Sequence, residues 1–167
     1  MSAPGNKQRR PDGGGHDWQT PPELFRLLDD EFDFDIDAAA SRENALCQRF
    51  FSEEDSAFDH ELSGGWRVFA NPPYGNLKPW VDLFAKWAEQ GNTVVALMPS
   101  ATDTEWWMSA YLNASEIRLL SGRVKFINPA TVKPDGSNTT GSTVFVFGGP
   151  HLDEADDFWL WDWRTEL

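Results

Sequence analysis

The spacing of apolar residues along the chain changes rhythm several times, and each change marks an element. In "TPPELFRLLDDEF" the residues Leu24, Phe25, Leu27, Leu28 and Phe32 recur at helical spacing. Pro21 and Pro22 suit a first turn, Thr20 stands where an N-cap belongs, and Glu23 complements the helix dipole, so a helix is predicted over about 21–31. The period then drops to two: Phe32, Phe34 and Ile36 alternate with Asp33, Asp35 and Asp37, the pattern of a short strand. Residues 41–51 are compatible with a short helix, and "SEEDSAFDHELSGG" reads as loop. "WRVFAN" is a strand; Trp80, Val81, Leu83, Phe84 and Trp87 return to helical spacing, with Gly91 where that helix should stop.

"TVVALMP" is apolar without interruption, as in a strand covered on both faces. "DTEWWMSAYLNAS" predicts another helix, capped by Asp103 or Thr104, with Trp106 and Trp107 as core or interface residues. "EIRLLSG", "RVKFINP" and "GSTVFVFGG" predict three strands, the last two separated by a long polar loop, and "FWLWDW" is a final strand or an aromatic cap. Strands alternating with helices imply an α/β fold with a mostly parallel sheet and helices on both sides. In that architecture ligands bind beyond the carboxyl ends of the strands. Two such ends stand out, "DID" running into "AAAS" and "VFA" running into "NPPY".

Composition narrows the picture. With 167 residues, 40% hydrophobic and 25% charged, the chain suits one domain, residues 16–167, behind a tail of Gly, Pro and polar residues at 1–15. Nine Trp and twelve Phe indicate a core filled with large side chains. The formal net charge of −13 excludes a surface that is basic throughout, leaving nucleic-acid contact to local basic segments such as "KQRR". The lone Cys47, a small core residue by this reading, forms no intramolecular disulfide and fits a reducing, cytoplasmic setting. His16, His60 and His151 are far apart and lack metal-ligand spacing, and no apolar run is long enough to span a membrane.

The loop "NPPY" carries the chemistry. Two prolines remove backbone donors and force extended geometry on the residues before them, which projects the Asn71 side chain and nearby carbonyls as acceptors beside the flat Tyr74. Two acceptors and an aromatic plate suit an exocyclic amine on a planar ring. An ordinary turn before a helix is the plainer explanation of the same four residues.

Taken with "DWQTPPELFRLLDDEF", "FDIDAAASRENALC", "LLSGRVKF" and "STVFVF", in that order, the loop resembles the phage-type DNA N6-adenine methyltransferases, the Dam-like family, over roughly residues 16–148. The resemblance implies a Rossmann-like methyltransferase fold and S-adenosylmethionine as methyl donor. It implies that Asn71 and the Pro72 carbonyl accept from adenine N6, that Pro73 fixes the loop, and that Tyr74 stacks on a flipped base, with Phe126 second. For the cofactor it nominates Trp18, Thr20 and Pro21 at the methionine end, and Asp35, Asp37, Ala38 and Ala39 in the first strand loop. Arg123 and Lys125 are candidates for phosphate contact, or else ordinary exposed strand residues. The implied partner is double-stranded DNA, in the host cytoplasm if the protein is phage-encoded, with restriction protection as the purpose. Many methyltransferases carry glycines where this chain has "DIDAAAS", an absence that the phage-type family shares. Little chain remains for a separate target-recognition domain, so loops such as 128–142 would read the DNA. Cytosine N4, RNA or protein glutamine as acceptor, and a non-catalytic DNA-binding module of the same fold, remain the alternatives.

Overall fold

The computed structural model describes residues 18–136, 138–149 and 157–167, so the expected tail at 1–15, with "KQRR", lies outside the described residues. Helix α1 spans Pro22–Phe32. Its N-cap position is Pro21, with no side-chain capping bond, and this corrects the assignment of that role to Thr20. Prolines at 21 and 22 remove two of the N–H groups a cap would satisfy, and the Thr20 hydroxyl is buried with no partner among the described residues. The helix ends because Asp33 turns left-handed (φ 52°) and the Asp29 carboxylate accepts from Phe34 N–H at 2.9 Å.

That ending shortens the expected alternating strand to β1, Ile36–Asp37. Phe34 instead packs its ring on Phe25 and Phe69. No helix forms over 41–51: the Asn44 side chain accepts from Ser41 N–H at 2.6 Å, and the Ser41 hydroxyl accepts from Glu43 N–H at 3.2 Å. Such local bonds favour a turn over a helix, and the segment closes on β2, Arg49–Phe50. Then follow β3 (Arg67–Ala70), α2 (Lys78–Glu89), β4 (Thr93–Pro99), α3 (Glu105–Asn113) and β5 (Glu116–Leu120). Gly91, with φ 88°, takes the left-handed turn that stops α2. Of the two proposed caps on α3, Thr104 is the one whose side chain accepts, from Trp107 N–H at 3.3 Å.

The expected strand "RVKFINP" is reduced to β6 (Ile127–Asn128), which pairs with β7 (Lys133–Pro134) in a hairpin of its own. The long polar loop therefore contains structure. The last two strands are β8 (Ser142–Phe147) and β9 (Phe158–Trp161), so "FWLW" is a strand.

Seven strands form one sheet in the order β2-β1-β3-β4-β8-β5-β9. Four of its six neighbouring pairs are parallel; β8 runs antiparallel to both β4 and β5. Alternation divides the core cleanly. Val94, Ala96 and Met98 face α2 and α3 together with Phe145 and Phe147, while Val95, Leu97, Val144 and Val146 face α1, Phe126 and Trp161. The buried Trp107 sits in the first of these layers. Among the described residues, no helix is long and apolar enough to cross a membrane.

Candidate active site

Strand direction assembles the site. β1, β3 and β4 run parallel, so their carboxyl ends share one edge of the sheet, and β8 runs the other way, so its amino end arrives at the same edge: Pro99 is in register with Ser142. The loop leaving β3, Pro99, and the segment Asn138–Gly141 thus converge on a cavity of about 350 Å³. Asn71, Pro72, Pro73 and Tyr74 all line it, with Gly75, Trp18, Phe126 and Asp135. All four residues of the Asn-Pro-Pro-Tyr loop thus face one cavity.

Asn71 is half-buried, and its Nδ2 donates to the Trp18 carbonyl at 3.1 Å. That bond uses the donor end of the amide and leaves Oδ1 as an acceptor. Trp18 is itself fixed because Gln19 and Ile127 exchange backbone hydrogen bonds at 3.1 and 2.9 Å, tying the chain before α1 to the β6–β7 hairpin. Tyr74 is 42% exposed and Phe126 is buried, and their rings meet edge to face at 6.3 Å. An accessible aromatic plate is thereby held against a rigid one.

A second cavity, of about 340 Å³, opens at the end of β1. Ala38, Ala39, Ala40 and Ser41 form one wall; Ser52, Glu53, Glu54 and Ser56 supply polar groups; Trp80 and Pro73 complete it. Pro73 lines both cavities. The Ser52 hydroxyl donates to Glu54 at 2.8 Å and holds that carboxyl below its ordinary pKa.

Asp37 is almost wholly buried and lines neither cavity. Its two oxygens accept from Ala39 N–H at 3.3 Å and Leu46 N–H at 3.1 Å, closing the alanine loop on itself. Burial pushes its pKa up to about 6, against the pull of those two donors. Asp35 has a different job from the one expected. It lies before β1, where it makes a bidentate pair with Arg67 at 2.8 and 3.0 Å, and the arginine's hydrogen bond holds its carboxyl below the ordinary range. Thr20 and Pro21 are buried behind Trp18 in sequence and line neither cavity.

Arg123 is exposed and donates from Nη1 to the Asn138 carbonyl at 2.9 Å; Lys125 is exposed nearby in sequence. Asp135 and Asn138–Gly141 lie in the loop 128–142 expected to read the DNA, but were not singled out as lining residues, and Pro99 was not foreseen at all. Their signal, the direction of β8, is absent from a local apolar pattern. Cys47 is half-buried, with its thiol pushed up to about 12 by burial; His60 pairs with Asp55 and stacks on Phe51, a wall residue of the second cavity, without lining either cavity itself. Among the described residues, no cluster of three or more His, Cys, Asp or Glu is arranged to hold a metal.

A mostly parallel sheet with helices on both faces, and an Asn-Pro-Pro-Tyr loop dividing two cavities at its carboxyl edge, define a Rossmann-like fold of the methyltransferase class. Residues 7–154 match the model of the DNA N-6-adenine-methyltransferase (Dam) family, and the chain belongs to that family. It is 31% identical over 145 residues to a DNA N-6-adenine-methyltransferase of Escherichia phage T1, covering 77% of this chain and 61% of the phage protein's length. It is also 34% identical over 74 residues to YfdM of Escherichia coli (strain K12), covering 40% of this chain and 75% of that one.

Proposed function

We propose that the protein transfers a methyl group from S-adenosylmethionine to the exocyclic N6 of an adenine extruded from double-stranded DNA. The observation that carries this reading is the Asn71 amide, anchored at its nitrogen and with no bond to its oxygen among the described residues, on a cavity walled by Tyr74 and Phe126. Asn71 Oδ1 and the Pro72 carbonyl accept the two N6 protons. The nitrogen is then favoured in a more tetrahedral form, its lone pair freed from the ring, and Tyr74 stacks on the base to offset the stacking lost on extrusion.

The second cavity fits the cofactor. Its alanines admit close backbone approach, while Glu53, Glu54 and the serines offer acceptors for ribose hydroxyls and for cationic groups. Asp37 acts on that cavity by holding the loop 38–46 rather than by contact. When bound, S-adenosylmethionine supplies an already activated methyl group, so the protein's task is alignment more than strong general-base catalysis. Pro73, common to both chambers, keeps donor and acceptor adjacent.

The test is transfer of labelled methyl groups to duplex DNA, RNA and protein acceptors in parallel, with the modified base identified by mass spectrometry. N6-methyladenine in duplex DNA is expected. Label only in cytosine, RNA or glutamine would overturn the acceptor assignment, and a calorimetric titration with S-adenosylmethionine that gives no heat and no competition would overturn the cofactor.

A further inference from the structure

The C-terminal turn Trp163–Glu166 lies beyond residue 154, where the family match ends, yet it reaches the substrate side of the site. Arg164 donates from Nη1 to the Ser121 carbonyl at 2.9 Å and from Nη2 to the Arg123 carbonyl at 2.6 Å. Its guanidinium also lies 5.0 Å from the ring centre of the buried Trp163. Gly122, between the two gripped carbonyls, has φ 69°, and a Cβ there would stand 2.2 Å from Arg164 Nη1. Glycine suits the left-handed backbone here, and a Cβ would displace the guanidinium from the position in which it grips the two carbonyls.

The clamp is connected to two walls of the cavity. The gripped turn leads directly to Phe126, and Arg123 reaches on to the Asn138 carbonyl at 2.9 Å; Phe126 and Asn138 both line the acceptor cavity. In a chain of net charge −13, Arg164 makes no ion pair within the described residues, and Glu166 on its own turn accepts from Trp161 Nε1 instead. A planar fork across two neutral carbonyls is a device for fixing backbone geometry.

We propose that Arg164 is a positioning residue for the nucleic-acid substrate. By clamping Ser121–Arg123 it sets the Phe126 wall and, through Arg123, the Asn138–Gly141 wall, so the base enters a cavity already shaped for it. This rests on the reading of that cavity as the base site.

The experiment has two arms. Hydrogen exchange on Arg164→Ala, without DNA, is expected to show amides of 123–126 and 138–141 exchanging about tenfold faster while those of β4 are unchanged. In steady-state kinetics the KM for duplex DNA should rise about fivefold or more, with cofactor Kd within about twofold and kcat changed less than KM. Gly122→Ala should reproduce both effects, Arg164→Lys should fall between, and Arg123→Ala combined with Arg164→Ala should be less than additive. Unchanged exchange and KM in a folded Arg164→Ala protein, or full additivity with Arg123→Ala, would overturn the proposal. Should Arg164→Ala not fold, Arg164→Lys, which keeps the charge but loses the planar fork, decides by the same readouts. A parent protein inactive on DNA would remove the base-site reading and with it the positioning role, even where the exchange arm confirms the clamp itself.

Discussion

Asn71 and Asp37 are both side chains at strand ends, and burial gives them different work. Asn71 is tied to Trp18 by one end only, so Asn71→Ala removes an acceptor without unmaking the fold. Methyl transfer should fall by about a hundredfold or more, with cofactor Kd within about twofold, measured by single-turnover assay and calorimetry. Asp37 is raised from 3.8 to about 6 by burial. A carboxyl raised on folding contributes most below its unfolded pKa, and that contribution is lost as pH climbs through the folded value, here between about pH 4 and 6, by about 3 kcal/mol at most. Asp37→Asn has no such charge to bury. Its stability relative to the parent, from urea melts, should therefore be more favourable at pH 7.5 than at pH 4, and its cofactor affinity should fall because one of the two loop bonds is lost. The place of Asn71 on the cavity wall was legible because prolines at 72 and 73 constrain their neighbours locally. Asp35 was not separable from Asp37 by pattern: two residues of extended chain, roughly 6–7 Å, divide the strand's entrance from its exit.

Among the elements, periodicity was a sound guide wherever one face is buried. α1, α2, α3, β4, β5 and β8 lie close to where apolar spacing puts them. Pattern carries no direction, however, so the antiparallel course of β8 could not be read, nor could the walls it brings to the cavity. The Asn44 and Ser41 bonds that replace a helix at 41–51, and the β6–β7 hairpin, depend on side-chain and backbone partners rather than on period. Arg118 shows how elements are joined. Nearly buried on β5, it pairs with Glu31 of α1 and Glu116, and lies 5.3–5.4 Å from the ring centres of Phe32, Trp159 and Trp161. Arg118→Ala leaves Glu116 without its counter-charge and opens space among three rings, and should destabilise by about 3 kcal/mol or more in urea unfolding. Glu31→Gln, at a half-exposed position, should cost well under half of that.

Across the whole molecule, charge is distributed rather than uniform. Arg67, Lys78, Lys86 and Arg118 are paired with carboxylates; among the described residues Arg26, Arg42, Arg49, Arg123, Lys125, Lys133 and Arg164 have no ion pair, and the last four of these belong to the β5–β8 connection and the C-terminal turn beside it. An acidic chain can thus meet phosphate over a small area. DNA affinity should fall with salt along a shallow slope, roughly −2 to −4 in log–log form, and Arg123→Ala with Lys125→Ala should flatten it by about 1 to 2. Fluorescence anisotropy at several salt concentrations checks this.

Pro73 has its own consequence for ligand design. Its pyrrolidine ring lines both the chamber at Ala38 and the chamber at Tyr74. On the proposed assignment of the two chambers, an inhibitor that fills both at once would join a nucleoside to a purine past Pro73.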